Sequence, residues 1–258
     1  MKLDDILKIS KHSSLKGSIK PKTTKHCVGV EIECIFPINA EVARFFLSKL
    51  FQEKQLASKT RIGDDGSVKS KNPGHGGLEI RVIDTETNIF NTIVEVCKCI
   101  AQLKGYVNNT CGLHIHIDMR TRKYKEVIVH NLIKTQEFLY SMVHKNRAHS
   151  NFSVKIPEKI KRVIRYEIDP DNMFRDIPVI EEINRTFLNS TKYAKHQDGL
   201  NFGAYRKYRT IEIRMHEGTL SAYRINKWIK ILLAIFNKKR KFNKEIPIKA
   251  KGLKEIGL

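Results

Sequence analysis

No apolar run in this chain is long enough to cross a membrane. The longest, Ile231 to Phe236, is far short of the roughly 18 residues a spanning helix needs. The opening Met1-Lys2-Leu3-Asp4-Asp5 has no apolar signal core. Cysteine is scarce and irregular: five residues, an odd number, with no Cys-x-x-Cys pair. Cys97 and Cys99 stand two apart on an expected helix, so they do not face one another. This is the pattern of reduced cysteine in a cytosolic protein, and a cytoplasmic location without membrane contact is expected. A Gly-x-x-x-x-Gly-Lys-Ser/Thr phosphate loop is missing too, and Gly74-His75-Gly76-Gly77 is too short and generic to replace it. There is no internal repeat, and no linker separates two cores.

Acidic residues are in short supply. Against 48 Lys and Arg stand only 27 Asp and Glu, for a formal net charge of +21. Such an excess points to an anionic partner, either nucleic acid, a nucleotide or an acidic polymer; the alternative is a solvated lysine surface. The hydrophobic fraction, 41%, is ordinary for a globular protein, and 258 residues suffice for one large domain or two small ones.

What is present is a set of alternating strands. In Cys111-Gly112-Leu113-His114-Ile115-His116-Ile117-Asp118, read as a strand, Leu113, Ile115 and Ile117 share one face and His114, His116 and Asp118 the other. In Val28-Gly29-Val30-Glu31-Ile32-Glu33-Cys34, Glu31 and Glu33 oppose the apolar Val28, Val30, Ile32 and Cys34. Glu79 and Arg81 oppose Leu78, Ile80 and Val82, and Glu212, Arg214 and His216 oppose Ile211, Ile213 and Met215. Strict alternation of this kind marks half-buried, usually antiparallel strands. In one sheet, all the charged faces can lie on the same side.

Helical periodicity fills the intervals. Asn39 is placed to cap a helix carrying Val42, Phe45, Phe46 and Leu50, and Asn88 one carrying Ile89, Ile93, Val96, Ile100 and Leu103, closed by Gly105. A long helical region is expected over about 123–147, an irregular stretch over 150–175, and a helix near 177–189. Asn201 to Tyr205 reads as a further strand. Ser221 can cap a final helix with Ile225, Trp228, Ile229, Leu232 and Phe236 on one face. The expected organisation is a basic N-terminal arm over 1–26, one α+β domain over 27–237 built on a mainly antiparallel sheet, and a basic C-terminal tail over 238–258.

Glutamates crowded on one face repel one another, and each carboxyl is pushed upward in pKa unless a cation sits among them. Mg²⁺ answers that need because it takes carboxylate oxygens, waters and substrate phosphates. His116 adds a nitrogen ligand, which suits Mn²⁺ better. Arg81, Arg147 and Arg214 can hold anionic oxygens in a bidentate grip. Carboxylates, a histidine and arginines around Mg²⁺ are equipment for phosphoryl transfer.

The ordered set Gly29-Val30-Glu31-Ile32-Glu33, Asp65-Gly66-Ser67, Gly77-Leu78-Glu79-Ile80, Cys111-Gly112-Leu113-His114-Ile115-His116 and Thr210-Ile211-Glu212-Ile213-Arg214 resembles the amidoligase family of the glutamine synthetase and glutamate–cysteine ligase superfamily. The resemblance spans about 27–237. It implies a curved antiparallel sheet with helices on its outer face, like the glutamine synthetase catalytic domain. It also implies a ligase in which ATP phosphorylates a carboxylate and an amine displaces the phosphate from the acyl phosphate, leaving an amide or peptide-like bond. By position, Glu31, Glu33, Glu79, His116 and Glu212 match ligands of Mg²⁺ or Mn²⁺. Arg214 matches an arginine that contacts phosphate. His114, Arg147 and Asn201 are candidates for the nucleotide side, and Asp65, Ser67 and Arg81 for the substrate. Glu33, Glu212 and Arg214 are the residues expected to carry the chemistry. Small-molecule or peptide carboxylates and amines are the implied substrates. Two other readings stand beside this one. A metal-dependent nuclease or phosphodiesterase would also suit the carboxylates, the histidines and the net charge. A non-catalytic basic binding protein would keep the sheet only as a scaffold.

Overall fold

The computed structural model describes residues 26–147, 153, 155, 198–202 and 204–258. The expected N-terminal arm, the irregular stretch over 150–175 and the helix near 177–189 lie outside the described residues, apart from His26, Ser153 and Lys155. In chain order the elements are β1 (Cys27–Phe36), α1 (Ala40–Glu53), β2 (Thr60–Gly63), β3 (Gly76–Thr85), α2 (Ile89–Gln102), β4 (Gly112–Asp118), α3 (Lys125–Lys134), α4 (Gln136–Ser141), β5 (Leu200–Asn201), α5 (Ala204–Tyr208), β6 (Thr210–Glu217), α6 (Ala222–Phe236) and α7 (Lys249–Ile256). The class is α+β, and the six strands belong to one sheet. The chain divides into two compact units, 1–113 with 217–226 and 114–216 with 227–258. No helix among the described residues is long and apolar enough to cross a membrane.

In the first unit the strand order is β2-β3-β1, followed by the opening residues of β4. Both β1–β3 and β2–β3 are antiparallel. Val30, Ile32 and Cys34 pair with Val82, Ile80 and Leu78, and all six are almost fully buried. The alternate residues, Glu31, Glu33, Glu79 and Arg81, therefore share the other face. Helices α1 and α2 pack on β3 and on each other, bringing Ala43, Leu47, Phe51, Ile93, Val96 and Ile100 into the core. Asn39 caps α1 as expected, its side chain accepting from the Glu41 N–H at 2.8 Å. β2 has no counterpart in the sequence reading; it is four residues long and lies at the sheet edge.

Two glycines here are dictated by close approach. A Cβ on Gly76 would lie 2.1 Å from the Ala40 nitrogen, so only glycine lets β3 start against the first turn of α1. A Cβ on Gly105 would lie 2.4 Å from the Ile100 side chain. The left-handed residue that ends α2 is Lys104, at φ 53°, rather than Gly105.

In the second unit β4 continues, with β6 and then β5; β5 and β6 are antiparallel. The expected helix over 123–147 is broken. Thr135, fully buried, turns its hydroxyl back to the carbonyls of Asn131 and Leu132 at 2.9 and 3.0 Å, and α3 gives way to α4 there. The expected strand 201–205 is only two residues long, because the chain enters α5 at Ala204. Arg209 then takes φ 58°, a left-handed conformation costing a non-glycine residue roughly 1–2 kcal/mol. The span 238–258 carries α7, which packs on α4. A Cβ on its Gly252 would meet Phe138 at 2.3 Å, and Ile246 and Ile256 are buried.

Candidate metal and anion site

The first unit offers a carboxylate set. Register places Glu33 directly opposite Glu79 and Glu31 opposite Arg81. Both Glu33 and Glu79 are buried, at 3% and 4% exposure, and each can offer a carboxylate oxygen within 4.8 Å of the other's. Like charges directly opposed on a strand pair are destabilising, so an arrangement of this kind calls for a compensating cation. Part of the compensation is visible. Glu33 accepts the backbone N–H of Gly112 at 2.6 Å. Arg81 donates its Nε–H to Glu79 and stands 3.8 Å from Glu31. It does not suffice for Glu79, whose carboxyl is pushed up to about 8, first by burial and next by the negative charge of Glu31, against the pull of Arg81. The Asp65 carboxylate adds a smaller push. Asp65 itself forms a tight turn, accepting the N–H and the hydroxyl of Ser67, each at 2.7 Å.

The second unit offers imidazoles around one carboxylate. Glu212, 5% exposed, accepts from Arg214 Nη1 at 2.5 Å on Oε1 and from Asn201 Nδ2 at 2.7 Å on Oε2. Asn201 and Glu212 are register partners, so the residue expected near the nucleotide holds Glu212. His114 Nδ1 and His116 Nε2 stand 3.8 and 3.7 Å from Glu212 Oε1. Those separations exceed a hydrogen bond. They suit ligands of one ion, since two atoms each about 2.1 Å from a cation lie roughly 3–4 Å apart. His114 thus stands as close to Glu212 as His116 does, which sequence spacing alone did not suggest. Arg147 donates to the Arg214 carbonyl at 2.9 Å and braces β6. Asp118, on the same alternation as the histidines, is taken up by Arg120 at 2.7 Å.

Sequence reasoning passed over Thr210, whose hydroxyl lies 3.1 Å from His116 Nδ1. The signal was available: Thr210 stands two residues before Glu212 on the same alternating face.

Residues 78–236, more than half of the chain, match the family model described as "Putative amidoligase enzyme". The chain belongs to the amidoligase family. No curated protein matches it. Membership places this amidoligase among the ligases. Glu79, His114, His116, Asn201, Glu212 and Arg214 all lie within the matched span, whereas β1 with Glu31 and Glu33 precedes it.

Proposed function

We propose that this amidoligase is an ATP- and Mg²⁺-dependent carboxylate–amine ligase that works through an acyl phosphate. The observation that carries the reading is the buried, directly opposed pair Glu33 and Glu79, a charge arrangement suited to a divalent cation. Their chemistry, all-oxygen and anionic, fits Mg²⁺; the histidines beside Glu212 also suit Mn²⁺. Glu31, Glu33 and Glu79 are the residues that would hold an ion in the first unit, and His116 and Glu212 those that would hold one in the second. Bound there, the metal would neutralise phosphate charge. Arg214, oriented by Glu212, is suited to the oxygens of the acyl phosphate as they develop charge. A carboxylate of this face is suited to take a proton from the incoming ammonium. Arg81, Asp65 and Ser67 are our candidates for substrate contact, and His114, Arg147 and Asn201 for the nucleotide side. Pooled amino acids, polyamines and peptides should give ADP release that requires both a carboxylate and an amine. Release that needs neither, or cleavage of a nucleic acid in its place, would refute the ligase reading.

We infer in addition that the positive charge serves an anionic polymer and not the ATP chemistry. Residues 27–113 hold ten Lys and Arg against ten Asp and Glu, whereas 238–258 hold eight against two. Truncating 243–258 would remove the buried Ile246 and Ile256, so charge is better removed in place. Changing the exposed Lys239, Arg240, Lys251 and Lys254 together to Gln should weaken binding to a mixed-sequence oligonucleotide and flatten its dependence on salt, because fewer counterions are released. Coincident curves for the two proteins would leave these side chains as solvated surface.

A further inference from the structure

We propose that the second unit carries a base-stacking surface for single-stranded nucleic acid, centred on Tyr124 and Tyr208; this rests on the anionic-polymer reading above. The sequence places one pattern in two distant segments, a tyrosine between cations: Lys123-Tyr124-Lys125 and Lys207-Tyr208-Arg209. The fold brings the two together. The Met119 N–H, just past β4, donates to the Arg209 carbonyl at 2.9 Å. This ties the loop before α3 to the turn before β6. The buried Tyr205 ring then collects a cation from each segment. Lys125 Nζ stands 5.9 Å from its centroid, and the central carbon of the Arg209 guanidinium 5.2 Å.

Both tyrosines reach solvent, Tyr124 at 52% and Tyr208 at 45% exposure; among the described residues of the second unit they are the exposed Phe, Tyr or Trp rings. Each stands at a left-handed backbone position, Tyr124 itself at φ 57° and Arg209, next to Tyr208, at φ 58°. Strain of that kind persists where the surroundings over-determine it, and it gathers where ligands are held. An exposed ring flanked by cations offers a π-face to a base while the charges meet phosphate, the combination by which single strands are bound. Paired bases in a duplex keep their faces covered, so stacking selects a single strand. Two such rings suit successive nucleotides, whereas a free mononucleotide has one base for two rings. Tyr208 also stands edge-on to the His116 ring, centroids 6.2 Å apart at 88°. A strand on this surface therefore passes beside the imidazoles gathered at Glu212.

The test follows the fluorescence anisotropy of labelled oligothymidylate, and of an abasic strand of the same length, as full-length protein is added. The abasic strand keeps the phosphates and lacks the bases. Wild type should bind oligothymidylate more tightly than the abasic strand. Tyr124→Ala and Tyr208→Ala combined should lose roughly tenfold or more of the oligothymidylate affinity and none of the abasic-strand affinity. The slope of affinity against salt should stay as in wild type, because no charge is removed. Tyr124→Phe and Tyr208→Phe combined keep both rings and should bind as wild type does. Equal wild-type affinity for the two strands overturns the inference, even if the alanine protein fails to fold; with a steep salt dependence it leaves the polymer reading standing. Loss of both strands in step by the alanine protein also overturns it, as does a loss that the phenylalanine protein shares. Displacement of oligothymidylate from wild type by free ATP at the same nucleotide concentration would give the rings to a mononucleotide and overturn it as well. Should wild type bind neither strand, the polymer reading falls and this inference with it.

Discussion

Replacing Glu33 by Gln is expected to lower ATP turnover at least about 100-fold while leaving the fold intact, the size of effect seen when one electrostatic stabiliser is removed. The substitution keeps side-chain volume. It also keeps an oxygen able to accept the Gly112 N–H, the 2.6 Å contact that fixes this side chain to the start of β4. What it removes is one negative charge from a face where Glu33 sits opposite Glu79 with Glu31 alongside. Metal-free Glu33→Gln should therefore melt no earlier than wild type above about pH 8, where Glu79 is ionised and a like-charge opposition is relieved. Loss of activity with retained stability separates a functional carboxylate from a structural one. The measurement is ADP release at saturating Mg²⁺ together with a thermal melt, and wild-type turnover would count against a catalytic role for this carboxylate.

The second large effect concerns Glu79 and pH. Its folded carboxyl titrates at about 8, against 4.5 for the unperturbed group. Between those two values the folded protein holds a proton that the unfolded chain has released. Stability therefore falls as pH rises through that window and levels off above it. Glu79→Gln abolishes the titration. The variant should match wild type below about pH 4.5 and exceed it by on the order of 5 kcal/mol above about pH 8 when metal is chelated. Adding Mg²⁺ should stabilise wild type more than the variant at high pH, because an ion that binds the folded state shifts the equilibrium by mass action and needs the ionised ligand. Melting curves against pH, with chelator and with Mg²⁺, provide the check. If the two proteins follow parallel curves across the whole range, the burial of Glu79 does not control its ionisation.

The alternation of apolar and charged residues determined by itself which side chains share a face. Val30, Ile32, Leu78 and Ile80 had to turn toward a core, and a strand period of two then sends Glu31, Glu33, Glu79 and Arg81 the other way. The helices of the first unit and the cap at Asn39 were legible for a similar reason: their signals are local. Register was not. Sliding β3 by two residues along β1 would preserve every face and set Glu33 against Arg81 instead of Glu79, so alternation cannot choose between an ion pair and a like-charge pair. Packing decided it, with Gly76 fitted against Ala40 at one end of β3. Tertiary context also cut the expected helix at Thr135, where a buried hydroxyl bonds back onto the preceding turn, and shortened the strand at Asn201. It likewise set Asn201 against Glu212 and Thr210 against His116. Those partnerships join residues distant in sequence, through contacts that neither propensity nor spacing encodes. Only the folded backbone determines which polar groups come within hydrogen-bond reach.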